Sequence, residues 1–313
     1  MERPGMAAMR HHFAPLQTFM DNPAVTEIVI QKPGEFGVEA DGVWTWHACD
    51  SLTFDRLDGM AMLAAGLTGQ TLSSRTPRCS TLLPGGLRVQ VARPPQVPEG
   101  SVSFTIRKRA TNFVPTLEWL NDHNYFSELP QDRDWVTWWH KAVEDRKTII
   151  ISGNTGSGKT TTGEALLRAV PLDERLVVIE RTPEWTTLPH RNLVMIYYGA
   201  SGDGADAERA ATSAVEDALR QRPDRIMIGE VRSGGEAWAY LRAEAAGHPG
   251  GIMTVHSLSA ETTIDSLALI MRQSADASNL QDDVIRAQLK MFIGVIAHCK
   301  RKPYRMTDVI EIQ

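Results

Sequence analysis

Thr148-Ile149-Ile150-Ile151-Ser152-Gly153-Asn154-Thr155-Gly156-Ser157-Gly158-Lys159-Thr160-Thr161 is the segment from which the architecture of this chain can be read. A β-branched apolar run enters a glycine-rich bend, and the helix-compatible stretch Lys159–Val170 follows. Gly153, Gly156 and Gly158 let the backbone curl, so that successive amides, those of Asn154, Thr155 and Ser157 among them, converge on one point. The positive end of the following helix adds to that field. A strand, the spacing G-x-x-x-x-G-K-[ST] and a helix, in that order, form a cradle for a nucleoside triphosphate. Lys159 is placed to reach the β- and γ-phosphates, the Thr160 hydroxyl to ligate Mg²⁺, and Thr161 to extend the phosphate-binding turn. ATP and Mg²⁺ are the cofactors this segment calls for.

Outward from this bend, short apolar runs alternate with helical segments. The runs are Thr148–Ile151, Leu176–Ile179, Leu193–Tyr198, Ile226–Ile228 and Ile252–Val255. Between them lie helical candidates at Lys159–Val170, Ala207–Arg220, Glu236–Ala246 and Thr262–Ser274. That alternation predicts an α/β domain with a mainly parallel sheet. Met291–Cys299 and Thr307–Ile312, flanking a basic turn with Pro303, read as a closing hairpin. Before the bend, Gln131–Lys147 reads as a helix with Trp135, Trp138, Trp139 and Val143 on one core-facing stripe.

The chain has 313 residues, more than one core usually supports, so two domains are expected. Residues 1–110 read as a smaller α+β domain. Ala7–Met20 and Phe54–Leu67 have helical spacing, Val25–Ile30 and Gly42–Trp46 suggest strands, and Leu87–Val91 and Val102–Arg107 alternate. The pattern weakens over 111–130, the expected linker, and 131–313 is the nucleotide domain.

Composition narrows the function classes. Apolar residues are 42% and charged residues 23%, ordinary for a globular protein. A net charge of −5 argues against direct nucleic-acid binding by bulk electrostatics. No window approaches the roughly 18 apolar residues of a membrane span, and Met1–His12 has no apolar secretory core. Cys49, Cys79 and Cys299 are scattered, which reads as buried free thiols in a reducing cytoplasm.

A phosphate cradle binds nucleotide without activating water. Hydrolysis also needs carboxylates near Mg²⁺ and the attacking water. Two further strands end in acids: Leu176–Ile179 leads to Glu180 and Glu184, and Ile226–Gly229 to Glu230. In a parallel sheet the ligand crevice lies at the carboxyl ends of the strands, so these acids can face the phosphates. His248 and His256 flank the run Ile252–Val255. Their spacing does not suit zinc, and the choice between γ-phosphate sensor and ordinary turn residue stays open. Arg220, Arg222, Arg225 and Arg232 cluster around the strand ending at Glu230, suited either to phosphate or to structural ion pairs.

Four ordered boxes carry a family resemblance. They are the glycine-rich octet; Glu174-Arg175-Leu176-Val177-Val178-Ile179-Glu180-Arg181-Thr182-Pro183-Glu184; Leu219–Arg232; and Gly247–His256. In order and spacing, Lys147–Ser257 resembles the traffic ATPases of bacterial type IV secretion, within a superfamily that includes type II secretion and pilus motors. The resemblance implies a RecA-like C-terminal domain, a hexameric ring and ATP bound between the two domains. It implies Glu184 as the catalytic carboxylate, Glu230 in an atypical Walker B acting near Mg²⁺ with Glu180, and His256 near the γ-phosphate, His248 less directly. Arg88 and Arg107, from a looser match, would be nucleotide-binding arginines of the first domain. Implied partners are inner-membrane secretion-channel proteins and other secretion ATPases, with the chain cytoplasmic and peripheral at the inner membrane. Arg181 departs from the family pattern, which has an aspartate there, and slow turnover is the expected consequence. A pilus or type II motor and a nucleotide-gated docking switch are the rival readings; three scattered cysteines cannot build the four-cysteine zinc module common in type II forms.

Overall fold

The computed structural model describes residues 6–40, 42–84, 86–108, 114–185, 188–198 and 205–312, and the chain divides into two compact units at Phe113/Val114. The first contains α1 (Met6–Phe13), α2 (Gln17–Asp21), β1 (Val25–Ile30), β2 (Gly34–Ala40), β3 (Val43–Cys49), α3 (Phe54–Gly66), β4 (Arg78–Leu83), β5 (Leu87–Ala92) and β6 (Ser103–Arg107). Its sheet is antiparallel throughout, in the order β3-β2-β1-β6-β5-β4. Alternation in β5 and β6 turns Leu87, Val89, Val91, Phe104 and Ile106 into the core. Thr53 caps α3 by accepting the Arg56 amide at 3.2 Å, and Leu57, Met60, Ala61, Ala64 and Ala65 form the stripe that packs on that core.

The second unit contains α4 (Leu117–Asp122), α5 (Trp135–Glu144), β7 (Ile149–Gly153), α6 (Lys159–Arg168), β8 (Leu176–Glu180), β9 (Leu193–Tyr197), α7 (Ala205–Leu219), β10 (Arg225–Val231), α8 (Gly234–Ala245), β11 (Ile252–Val255), α9 (Thr263–Met271), α10 (Asp282–Phe292), β12 (Val295–Lys300) and β13 (Arg305–Glu311). Its sheet order is β13-β12-β7-β11-β10-β8-β9, parallel except where β13 runs against β12. β7 and β8 are buried along their whole length, because helices cover both faces of the sheet. Side chains alternate between two cores: Ile150, Val177, Ile179 and Ile228 on one face, Ile149, Ile151, Val178 and Met227 on the other. The α/β architecture and the smaller α+β unit are as expected.

The expected linker is corrected. Positions 111–113 lie outside the described residues, but 114–130 belong to the second unit. Thr116 caps α4, and Leu117, Leu120, Tyr125, Phe126 and Leu129 join the core beneath Trp135 and Trp139. A six-residue helix has too few turns to show a periodic pattern, and docking supplies its burial. Sequence patterning also missed β2, β4 and α10. In β2, Gly37 stands between the core-facing Phe36 and Val38, on the opposite face, where a Cβ would meet Val29 Cγ2 at 3.0 Å and the Trp46 ring at 3.3 Å. The closing hairpin is present but starts later, at Val295, since Met291 and Phe292 complete α10. Cys79 and Cys299 are buried free thiols and Cys49 is half-buried. Among the described residues no helix is long and apolar enough to cross a membrane.

Candidate active site

At the carboxyl end of β7 the chain turns away at Gly153. A Cβ there would sit 2.3 Å from the Cys299 carbonyl oxygen and 2.5 Å from Ser157 Oγ, so no larger residue fits between the bend and β12. Gly156 and Gly158 take φ of +71° and +93°, and Gly158 opens α6. Behind the bend, Tyr125 Oη lies 2.7 Å from Thr162 Oγ1, and Thr162 Oγ1 donates to the Gly158 carbonyl at 3.1 Å. Neither residue stood out in the sequence, because their contact spans 37 positions.

Lys159 is 7% exposed, and its ammonium donates to the carbonyls of Gly153 (2.8 Å) and Asn154 (3.0 Å). Burial lowers its pKa from the ordinary lysine value, against the opposing pull of Glu230 and Glu184. The Thr160 hydroxyl donates to Glu184 Oε2 at 2.6 Å, which joins the first turn of α6 to the acid that follows β8.

Glu184 is positioned by Glu180. The Glu180 carboxylate is 2% exposed and accepts the backbone amides of Glu184 (3.0 Å) and Trp185 (3.1 Å), folding the chain after β8 into a turn. Trp185, fully buried, donates its indole N–H to the Thr160 carbonyl at 2.9 Å. Its ring lies where a Cβ on Gly163 would be, at 2.6 Å. The sequence expectation put Glu180 beside the metal; the structure shows its Oε1 engaged in holding this turn.

Glu230 follows the apolar part of β10. His256 Nε2 lies 2.6 Å from Glu230 Oε1, and Arg232 Nε donates to Glu230 Oε2 at 2.6 Å. His256 Nδ1 is 3.5 Å from Lys159 Nζ, which has only protons to give. The two ring nitrogens of His256 thus face a donor at Nδ1 and a carboxylate at Nε2. Glu236 braces this strand end: it accepts the Arg232 amide (2.9 Å) and the Tyr198 hydroxyl (2.7 Å), and burial raises its pKa. Glu236 was missed in sequence, although Ser233-x-x-Glu236 ahead of a helix is a recognisable capping signal.

The structure separates the two histidines. His256 joins the Lys159–Glu230 group at the carboxyl end of β11. His248 lies before the start of that strand, 3.0 Å from the Pro223 carbonyl. It also sorts the arginine cluster. Arg232 reaches the site, Arg220 pairs with Asp217 on the surface, and Arg225, 1% exposed, grips Glu174 at 2.7 and 2.9 Å with both Nε and Nη2. Arg225 is structural. Arg181 is half-buried near Tyr198 and forms no ion pair among the described residues. In the first unit Arg88 and Arg107 are direct cross-strand partners, Arg88 half-buried and Arg107 exposed, with Glu27 opposite Arg107 on its other side.

An ammonium, a hydroxyl, two carboxylates and an imidazole thus converge on one glycine-lined bend. Such a site can bind a polyphosphate, hold a hard cation through oxygen donors and orient a water.

Comparison with known proteins agrees with this chemistry. The family profile described as "Type II/IV secretion system protein" matches residues 129–309. The type IV secretion system protein VirB11 of Brucella suis is 32% identical, aligned over 93% of this chain and 85% of its own length. That of Bartonella quintana is 35% identical over 94% and 90%. The crystal structure of the Brucella suis VirB11 ATPase in complex with sulphate superposes with a TM-score of 0.52 at 30% identity, covering 98% of this chain and 95% of that one. The pilus retraction motor PilT with bound ADP shares the fold, with a TM-score of 0.61 at 20% identity over 92% and 77%. The chain therefore belongs to the type II/IV secretion system protein family, among its type IV secretion ATPases.

Proposed function

We propose that this chain hydrolyses ATP to ADP and phosphate as one subunit of a hexameric ring that drives a bacterial type IV secretion or conjugation apparatus. The observation that carries the catalytic part is the bond from Thr160 to Glu184 beside the Lys159–His256–Glu230 group. That bond, between the first turn of α6 and the acid after β8, supports reading Glu184 as the water-orienting carboxylate.

Each residue then has a task. The bend Gly153–Thr161 and the Lys159 ammonium hold and neutralise the phosphates. Glu184 orients and deprotonates the attacking water. Glu180 acts by holding the Glu184 turn. His256 links the γ-phosphate end of the site to Glu230. Arg88 and Arg107, side by side on their sheet, serve as further nucleotide ligands. The donor set fits Mg²⁺, since Thr160 and Glu230 offer the hard oxygen ligands this ion prefers. Bound there, Mg²⁺ would neutralise charge on the phosphate oxygens. Secretion-channel proteins of the inner membrane and other secretion ATPases are the proposed partners, and the cytoplasmic face of that membrane the proposed location.

Arg181 favours one rival reading, a ring that binds nucleotide as a docking switch with little turnover. Steady-state hydrolysis at saturating Mg²⁺-ATP, with native mass measured on the same sample, decides between them. Sustained turnover by a hexamer supports the motor; binding without turnover supports the switch; a monomer with full activity removes the ring.

The Arg181→Asp variant gives a further test. Replacing this positive charge beside the acidic box with a negative one alters the local field by about 1 kcal/mol, so turnover should rise about 5-fold. Initial-rate ATPase assays of the two proteins measure it, and equal rates would acquit Arg181 of any role in slow turnover.

A further inference from the structure

Apart from Lys159 and Thr160, which follow β7 itself, the groups assigned above to the γ-phosphate end and to the cation come from one side of β7. Glu184 follows β8, Glu230 lies on β10 and His256 follows β11, and all three strands stand on the β11 side of β7 in the sheet order. A triphosphate seated on Gly153–Thr160 with its terminal phosphate among these groups must direct its nucleoside to the opposite side. β12 occupies that side, pairing with β7 up to Cys299↔Gly153.

The turn between β12 and β13, Arg301–Tyr304, lies against the phosphate bend. Arg301 Nη1 is 3.5 Å from the position a Cβ on Gly156 would take. Tyr304 Cδ1 is 3.7 Å from the corresponding position on Gly158. The Tyr304 side chain nevertheless stays 51% exposed, an aromatic ring standing at the edge of the bend with a free surface. The turn is anchored at both ends to the segment behind the bend. Lys300 pairs with Glu128 at 2.5 Å, and the Met306 amide donates to the Tyr125 carbonyl at 2.9 Å. A surface tyrosine needs no such scaffold. One that must present its ring at a fixed place does.

We propose that the β12–β13 turn is the nucleoside-binding element of this ATPase, with Tyr304 as the face on which the base stacks. The proposal rests on the nucleotide reading of the glycine-rich bend and adds to it the site of the base. Stacking reads the π-face that every base has. Tyr304 therefore contributes affinity for a nucleotide over bare polyphosphate.

The test is calorimetric titration of the full chain and its Tyr304 variants with ATP and with inorganic tripolyphosphate. Tyr304→Ala should raise the Kd for ATP by about 5- to 100-fold, the loss typical of one base–aromatic stack, and leave tripolyphosphate binding unchanged. Tyr304→Phe and Tyr304→Trp should keep ATP affinity, because the ring rather than the hydroxyl makes the contact. Unchanged ATP affinity in Tyr304→Ala, equal weakening of both ligands, or a Phe variant as weak as the Ala variant would each overturn the proposal. A native chain that binds tripolyphosphate as tightly as ATP would also overturn it while leaving the phosphate site standing. Failure of the native chain to bind either ligand would instead remove the phosphate site and the proposal with it.

Discussion

Lys159→Ala is expected to lower kcat/KM for ATP hydrolysis by about 100- to 1000-fold, the loss seen when one preorganised charge-stabilising donor is removed. The ammonium is buried beside the carbonyls of Gly153 and Asn154, within reach of the phosphate cradle. Arg232, the other cation of the group, is held by Glu230 and cannot take its place without leaving that acid behind. The fold should persist, because Lys159 contributes no apolar packing to either core. Rate measurement beside a thermal melt checks both halves, and appreciable residual hydrolysis in a clean, folded preparation would defeat the assignment. A pH corollary follows. Only the protonated amine stabilises phosphate, and burial lowers its pKa. The alkaline limb of kcat/KM, which reports the free enzyme, should therefore fall at a lower pH than an ordinary lysine would impose.

Glu184→Gln is expected to lower kcat by about 100- to 10,000-fold, the range of general-base contributions, while leaving ATP affinity unchanged. The amide keeps the size of the side chain and can still accept the Thr160 hydroxyl bond, now 2.6 Å from a carboxylate oxygen. It cannot take a proton from water. The turn that carries it should survive, since Glu180 holds that turn through backbone amides rather than through the Glu184 side chain. Single-turnover hydrolysis and equilibrium binding of a fluorescent ATP analogue separate the two effects. Near-native turnover in this variant would move the base role to Glu230.

The sequence alone was enough for every feature whose cause is local. The phosphate bend is one: strand, glycines, lysine and helix start lie within about fourteen consecutive positions, and their conformations are set by neighbours along the chain. The periods of α3, α5 and β5 and the acids closing β8 and β10 were legible for the same reason. What required tertiary structure was the pairing of distant segments. Only the placement of β7 between β12 and β11 brings Glu230 and His256 to one side of the bend and Tyr304 to the other. Only docking onto α5 and α6 absorbs 117–129 into the second unit, where six residues of helix could not announce themselves. Glu180 and Glu184 look alike as strand-end acids, yet one is buried on two amides and the other meets Thr160. Burial and sheet order are sums over contacts far apart in the chain, and no local pattern encodes them.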